Sequence, residues 1–209
     1  MISKTKIVAG VLILLVLSGG ILTVFWYQQL QYLTPTPTPI HYSPVALESS
    51  ITLPFVKEKV QENRPIFLHF YNPECPCSRF NQDHFRSLVN KYKDQVAFYT
   101  IVQSVEGEPL SEELGIPVIS DPEGKIADAC GVYATPQAVI LQSDQALYYR
   151  GNYNKARYCT TRSTRFAELA LQSAIAQKKL PLAIQLAGMP YGCNLPSEEV
   201  VGQSRISLF

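Results

Sequence analysis

Residues 66–93 constrain the fold more than any other stretch: an apolar, strand-like run stops at a turn carrying two cysteines and passes directly into a helical pattern. Ile66, Phe67, Leu68, Phe70 and Tyr71 make the run mostly apolar, which suits a strand covered on both faces. Past Cys75-Pro76-Cys77-Ser78, the residues Phe80, Phe85, Leu88, Val89 and Tyr92 recur at roughly helical spacing and predict an amphipathic helix over 78–93. A cysteine at such a junction is accessible and close to the N–H groups of a helix start, which favour thiolate over thiol. The spacing is Cys-Pro-Cys, so the chemistry of a Cys-x-x-Cys dithiol does not transfer to it unchanged.

The surrounding pattern extends this unit. A short helix is expected over 55–62, a strand over 96–102, a short helix over 108–115 closed by Gly115, a short strand over 116–119 and a turn over 121–124. A short helix over 125–130 precedes two alternating runs, 138–142 and 146–150, joined at Ser143-Asp144 as a hairpin. A last helix is expected over 164–179, and the prolines and glycines after Pro181 predict an irregular tail. The order of elements predicts an α/β fold with a central mixed sheet and helices on its faces, its βαβ crossover right-handed.

The N-terminus has a different composition. Lys4 and Lys6 precede an uncharged apolar run over 7–26, long enough to cross a hydrocarbon layer about 30 Å thick. A cleavable signal peptide would be shorter and end at an Ala-x-Ala-like site, whereas this run continues into Phe25-Trp26-Tyr27. The expected organisation is a cytoplasmic N-terminus over 1–6, a single transmembrane anchor over 7–27, an extended Pro-rich linker over 28–52, a folded domain over 53–180 and an irregular extension over 181–209. The basic flank places the domain on the far side of an inner (cytoplasmic) membrane, in the periplasm or outside the cell. The repeat Thr34-Pro35-Thr36-Pro37-Thr38-Pro39 reads as a spacer that does not pack. The net charge of +1 argues nothing about partners, but the absence of a long basic run interleaved with aromatics argues against nucleic acid.

From about residue 53 to 179 the chain resembles the thioredoxin-like superfamily, particularly its membrane-tethered redoxin and TlpA-like branch. The similarity is carried by Phe70-Tyr71 before the cysteines, by the segment from Val118 to Lys125, and by Gly131-Val132-Tyr133-Ala134-Thr135-Pro136 before the hairpin. The resemblance implies a three-layer fold, a cis proline at Pro136 facing a reactive cysteine, and Cys75 on the nucleophilic position. It puts Ser78 where the resolving cysteine usually stands, which leaves Cys77, or a remote cysteine, to resolve Cys75.

Five cysteines in an exported setting leave at least one without a partner inside a monomer. Cys130 reads as a buried packing residue, and Cys159 and Cys193, flanking the last helix, as a candidate structural disulfide. The leading expectation is a membrane-tethered thiol-disulfide oxidoreductase using no cofactor, with Cys75, Cys77, Ser78, Thr135 and Pro136 at its site. Its partners would be disulfide-containing or dithiol proteins, a membrane-side redox partner and, through the N-terminal helix, the lipid bilayer. Three alternatives compete. A copper chaperone would use Cys75, Cys77 and His84, although Gln137 follows the proline and no histidine occurs after His84. A thiol peroxidase would want Thr or Ser where Asn72 stands, with Arg150 or Arg157 supplying a cation. A non-enzymatic binding module would need neither. His69 reads as a strand residue and His41 as part of the linker.

Overall fold

The first element of the computed structural model is α1 (Lys4–Leu30), a 27-residue helix whose apolar side chains are exposed around its whole circumference, Leu14 by 66% and Val16 by 73%. No polar face exists to meet water, and the helix is long and apolar enough to cross a membrane. The structure describes residues 4–30, 35–56, 64–103, 115–155 and 162–195. The helices expected over 55–62 and 108–115 fall largely outside them. The chain forms two units, one ending at Thr34 and one beginning at Pro35.

The second unit is built on a five-stranded sheet of β1 (Ile66–Tyr71), β2 (Ala97–Val102), β3 (Val118–Ser120), β5 (Gln137–Leu141) and β6 (Leu147–Gly151), ordered β3-β2-β1-β5-β6. β1 pairs parallel with β2 and antiparallel with β5, so the sheet is mixed. All six residues of β1 are buried, as expected for a strand covered twice. On one face α2 (Pro76–Tyr92) and α4 (Phe166–Ile175) pack Phe85, Leu88, Ala167 and Leu171 around Phe67. On the other, α3 (Lys125–Cys130) and residues 51–56 cover Leu68, Phe70 and Val139. The result is a three-layer α/β architecture, a central mixed sheet covered on both faces. Asp121 fixes the start of α3 by accepting hydrogen bonds from the Ile126 and Ala127 N–H groups at 3.0–3.1 Å, filling the N-cap role from inside the preceding turn.

Two segments differ from the sequence expectation. The stretch expected to be a non-packing spacer lies against the domain from Pro35 onward, well before residue 53. Thr36 is buried; its N–H donates to the Pro190 carbonyl at 2.9 Å and its hydroxyl to the Gly192 carbonyl at 3.3 Å. Prolines lack a donor, but the threonines between them keep one, so a Thr-Pro repeat can still line a strand edge. Further along, Ser50 bridges Ala146, while Ile51 and Leu53 enter the core.

The tail expected to be irregular is the second difference. It forms α5 (Leu182–Gln185), a 3-10 turn at Leu186–Gly188 and the strand β7 (Cys193–Asn194), which pairs antiparallel with β4 (Ala134–Thr135). Asn152 holds its approach, donating to the Ala187 and Met189 carbonyls and accepting from the Tyr191 N–H. The glycines and prolines of this tail therefore shape a route across the domain surface.

His69 lies in the middle of β1, fully buried, stacked on Phe85 at 4.1 Å and hydrogen-bonded to the Tyr153 hydroxyl at 2.6 Å. Burial lowers its pKa to about 3, so the folded state holds it neutral. An unfolded chain binds that proton near pH 6.5, so this contribution to stability is complete above pH 6.5 and falls as the pH drops toward about 3. Urea unfolding at pH 7 and pH 4.5 should show the loss between the two conditions smaller by about 2–3 kcal/mol in His69→Phe than in the parent protein; an equal loss in both would exclude His69 as its source.

Candidate redox site

Cys75 is the N-cap residue of the 17-residue helix α2, with extended backbone at φ −81° and ψ 117° and Pro76 following at the first helical position. Proline suits that place, because its missing N–H is one that no helix start can satisfy internally. The loop before it closes on itself. The Asn72 N–H donates to the Ser78 hydroxyl at 3.3 Å, the Cys75 N–H to the Asn72 carbonyl at 3.0 Å and the Glu74 N–H to the Asn72 side-chain oxygen at 2.9 Å. No acidic residue occupies the first turn of α2, so the positive end of the helix faces Cys75 unopposed from within that turn.

The opposite wall is the loop at β4. The Thr135–Pro136 peptide bond is cis, Thr135 is fully buried, and its carbonyl oxygen lies 3.5 Å from the Cys75 sulfur. Across from Thr135 in the β4–β7 pair stands Cys193, and the two sulfurs that meet there form a disulfide, Cys75–Cys193, spanning 118 residues. This corrects the expected Cys159–Cys193 bridge: the sulfur of Cys193 is bonded to Cys75, and Cys159 lies outside the described residues. It also gives Cys75 a partner other than Cys77. A Cys75–Cys77 bond would close a very tight ring, whereas β7 brings Cys193 to a Cα separation of 6.0 Å from Cys75, within the ordinary range for a disulfide.

The other sequence candidates sort by their surroundings. Cys77 is reduced and buried in the first turn of α2. Ser78, on the position usually held by a resolving cysteine, accepts the Asn72 N–H and so fixes the loop. Cys130 is fully buried, and loss of hydration pushes its thiol up to about 12, leaving it protonated and unreactive at neutral pH. His84 turns to the α4 side, 3.4 Å from Asn154 and 3.8 Å from the Glu168 carboxylate; burial first, then the Arg165 charge, lowers its pKa. Cys75, Cys77 and His84 do not assemble as a metal-binding set, and no cluster of three ligating side chains occurs among the described residues. Arg150 donates to the Val45 and Cys130 carbonyls at 2.9 and 3.1 Å. That engagement puts its guanidinium at the α3 end and not over Cys75; Arg157 lies outside the described residues.

Two residues of this site escape a reading of the sequence by motif. One is Thr36, whose hydrogen bonds hold the outer side of the tail. The other is Gly192, at φ +151°, where a Cβ would collide with the Thr135 carbonyl oxygen and stand 2.9 Å from its carbon. A side chain there would drive β7 off Thr135. The signal in the sequence is the dipeptide Gly192-Cys193, a residue that permits close backbone approach directly before a thiol. With the tail docked, Cys75 is only 1% exposed.

A family model described as a domain of unknown function, DUF6436, matches residues 46–194, and the chain belongs to that family. No curated protein matches it. Among solved structures, a hypothetical protein from Sinorhizobium meliloti superimposes with a TM-score of 0.61 at 17% identity, over 74% of this chain and 96% of that one. An uncharacterised conserved protein from Geobacillus kaustophilus does so with a TM-score of 0.55 at 22% identity, over 79% and 94%. These similarities are to the course of the backbone.

Gly192→Ala should expel the tail strand, costing its docking about 2 kcal/mol or more. With limiting dithiothreitol present, the Cys75–Cys193 bond should then be reduced faster than in the parent protein, read as the rate at which a maleimide labels the two released thiols; equal rates would rule out the close approach of Gly192 to Thr135.

Proposed function

We propose that this member of the DUF6436 family is a membrane-tethered thiol-disulfide oxidoreductase whose redox couple is Cys75 and Cys193. The observation that carries the reading is the Cys75–Cys193 disulfide lying against the Thr135–Pro136 loop at the start of α2. Cys75 is the nucleophile: it stands at the positive end of a long helix, which favours its thiolate once the bond is reduced. Cys193, carried on the tail, is the resolving cysteine. Cys77 and Ser78 shape the turn. Thr135 and Pro136 position the polypeptide that reacts.

In the reducing direction, the Cys75 thiolate attacks one sulfur of a substrate disulfide and the other leaves as thiolate. The Cys193 thiolate then attacks the Cys75 sulfur and releases the first substrate sulfur. Two electrons pass to the substrate, and the Cys75–Cys193 bond closes. A dithiol partner restores the reduced pair by the reverse exchange. With α1 in the membrane and its lysine flank in the cytoplasm, the domain works in the periplasm or outside the cell, where a disulfide persists.

The test is a set of three single variants offered a disulfide-bonded protein. Cys75→Ser should abolish exchange. Cys193→Ser should accumulate a mixed disulfide on Cys75, visible as a mass adduct. Cys77→Ala should retain exchange within about threefold, since access and thiolate fraction at Cys75 set the rate. Loss of exchange in Cys77→Ala, together with an adduct that resolves normally in Cys193→Ser, would transfer the resolving role to Cys77.

A further inference from the structure

The tail strand makes with β4 the contacts that an incoming polypeptide would have to make. Cys193 stands opposite Thr135 and Asn194 opposite Ala134, and the Leu195 N–H donates to the Tyr133 carbonyl at 3.1 Å. These main-chain contacts are those of a strand added to an open edge. The sulfur of Cys193 occupies the position of a substrate sulfur in a mixed disulfide with Cys75. With β7 in place Cys75 is buried, so a macromolecular substrate reaches it only after the tail has left. β7 is two residues long, and a pair this short is not stable alone. Cleaving the disulfide leaves it held by Thr36, by the Asn152 side chain at Tyr191, by the Leu195–Tyr133 main-chain bond and by the burial of Leu195.

We infer that residues 191–195 are an internal copy of the substrate: the β4 edge takes an extended segment bearing a glycine directly before the attacked cysteine and an apolar residue two positions after it. This rests on the reading of Cys75 as nucleophile. The glycine requirement comes from the Thr135 carbonyl oxygen, which a Cβ at position 192 would strike and which cannot retreat, because Thr135 is fully buried. The apolar requirement comes from Leu195, 5% exposed and packed in the cluster that holds Ile126, Val132 and Val139. The position between them is permissive, since Asn194 is half-buried, and Tyr191 is 40% exposed. Tail and substrate share one edge, so the edge is vacated on reduction and reoccupied as Cys193 takes Cys75 back from the departing segment.

The test uses the full-length protein in detergent micelles, as reduced parent and as Cys193→Ser, so that misfolding of one form leaves the other informative. The probes are capped pentapeptides with the sequence of residues 191–195, their cysteine joined in a disulfide to thionitrobenzoate. Release of the coloured thiol gives the rate and mass spectrometry locates the adduct; each rate is divided by that of the same peptide with N-acetylcysteine. Replacing the peptide's glycine by alanine should slow adduct formation on Cys75 about tenfold or more, and replacing its leucine by serine about threefold or more, in the range that pocket contacts give. Rates within about twofold across all peptides, with adducts on Cys75, would overturn the selection and leave the oxidoreductase reading standing. No adduct on Cys75 from any probe in either protein would overturn both.

Discussion

Thr135 and Cys193 face one another across a two-residue antiparallel pair, and nearly everything specific to this protein depends on that contact. It brings the end of the chain to the helix start that carries Cys75, and it gives the remote thiol a defined position rather than a chance encounter. It requires a glycine at 192, a buried carbonyl at Thr135 and an anchor at Leu195. The sheet beneath serves it indirectly: β1 ends at Tyr71, where the turn to Cys75 begins, and β5 starts at Gln137, directly after the loop that presents Thr135.

The environments of the described cysteines separate their chemistry. Cys130 is reduced but lies in the apolar layer under α3, where ionisation is strongly disfavoured. Cys77 is one residue beyond the helix's first position, buried, and outside the disulfide. Cys75 combines a helix start, a neighbouring carbonyl edge and a partner sulfur. Proximity in sequence would have paired Cys75 with Cys77; backbone geometry pairs it across 118 residues.

What could be read directly from the sequence was whatever depends on local periodicity. The run through β1, the spacing of Phe85, Leu88, Val89 and Tyr92, and the alternating hairpin each carry their structure in a few neighbouring side chains. The tail and the Thr-Pro segment do not. A two-residue strand has no period to detect, and its partner lies far away in the chain, so Pro190, Gly192 and Cys193 look like breaks until β4 is set beside them. The Thr-Pro repeat misleads for a related reason: its prolines advertise an unbonded backbone, while the donor that matters belongs to Thr36 between them.

Thr36 also changes what the stretch after the membrane helix can be used for. A spacer is ordinarily a quantity, a number of residues that can be cut or doubled to adjust reach. Here one of its residues holds the strand that carries a redox-active sulfur, donating to the carbonyls on either side of Tyr191. Trimming the repeat would act on two properties at once, the length of the tether and the grip on the thiol, and a homologue that shortens one must find another donor for the other.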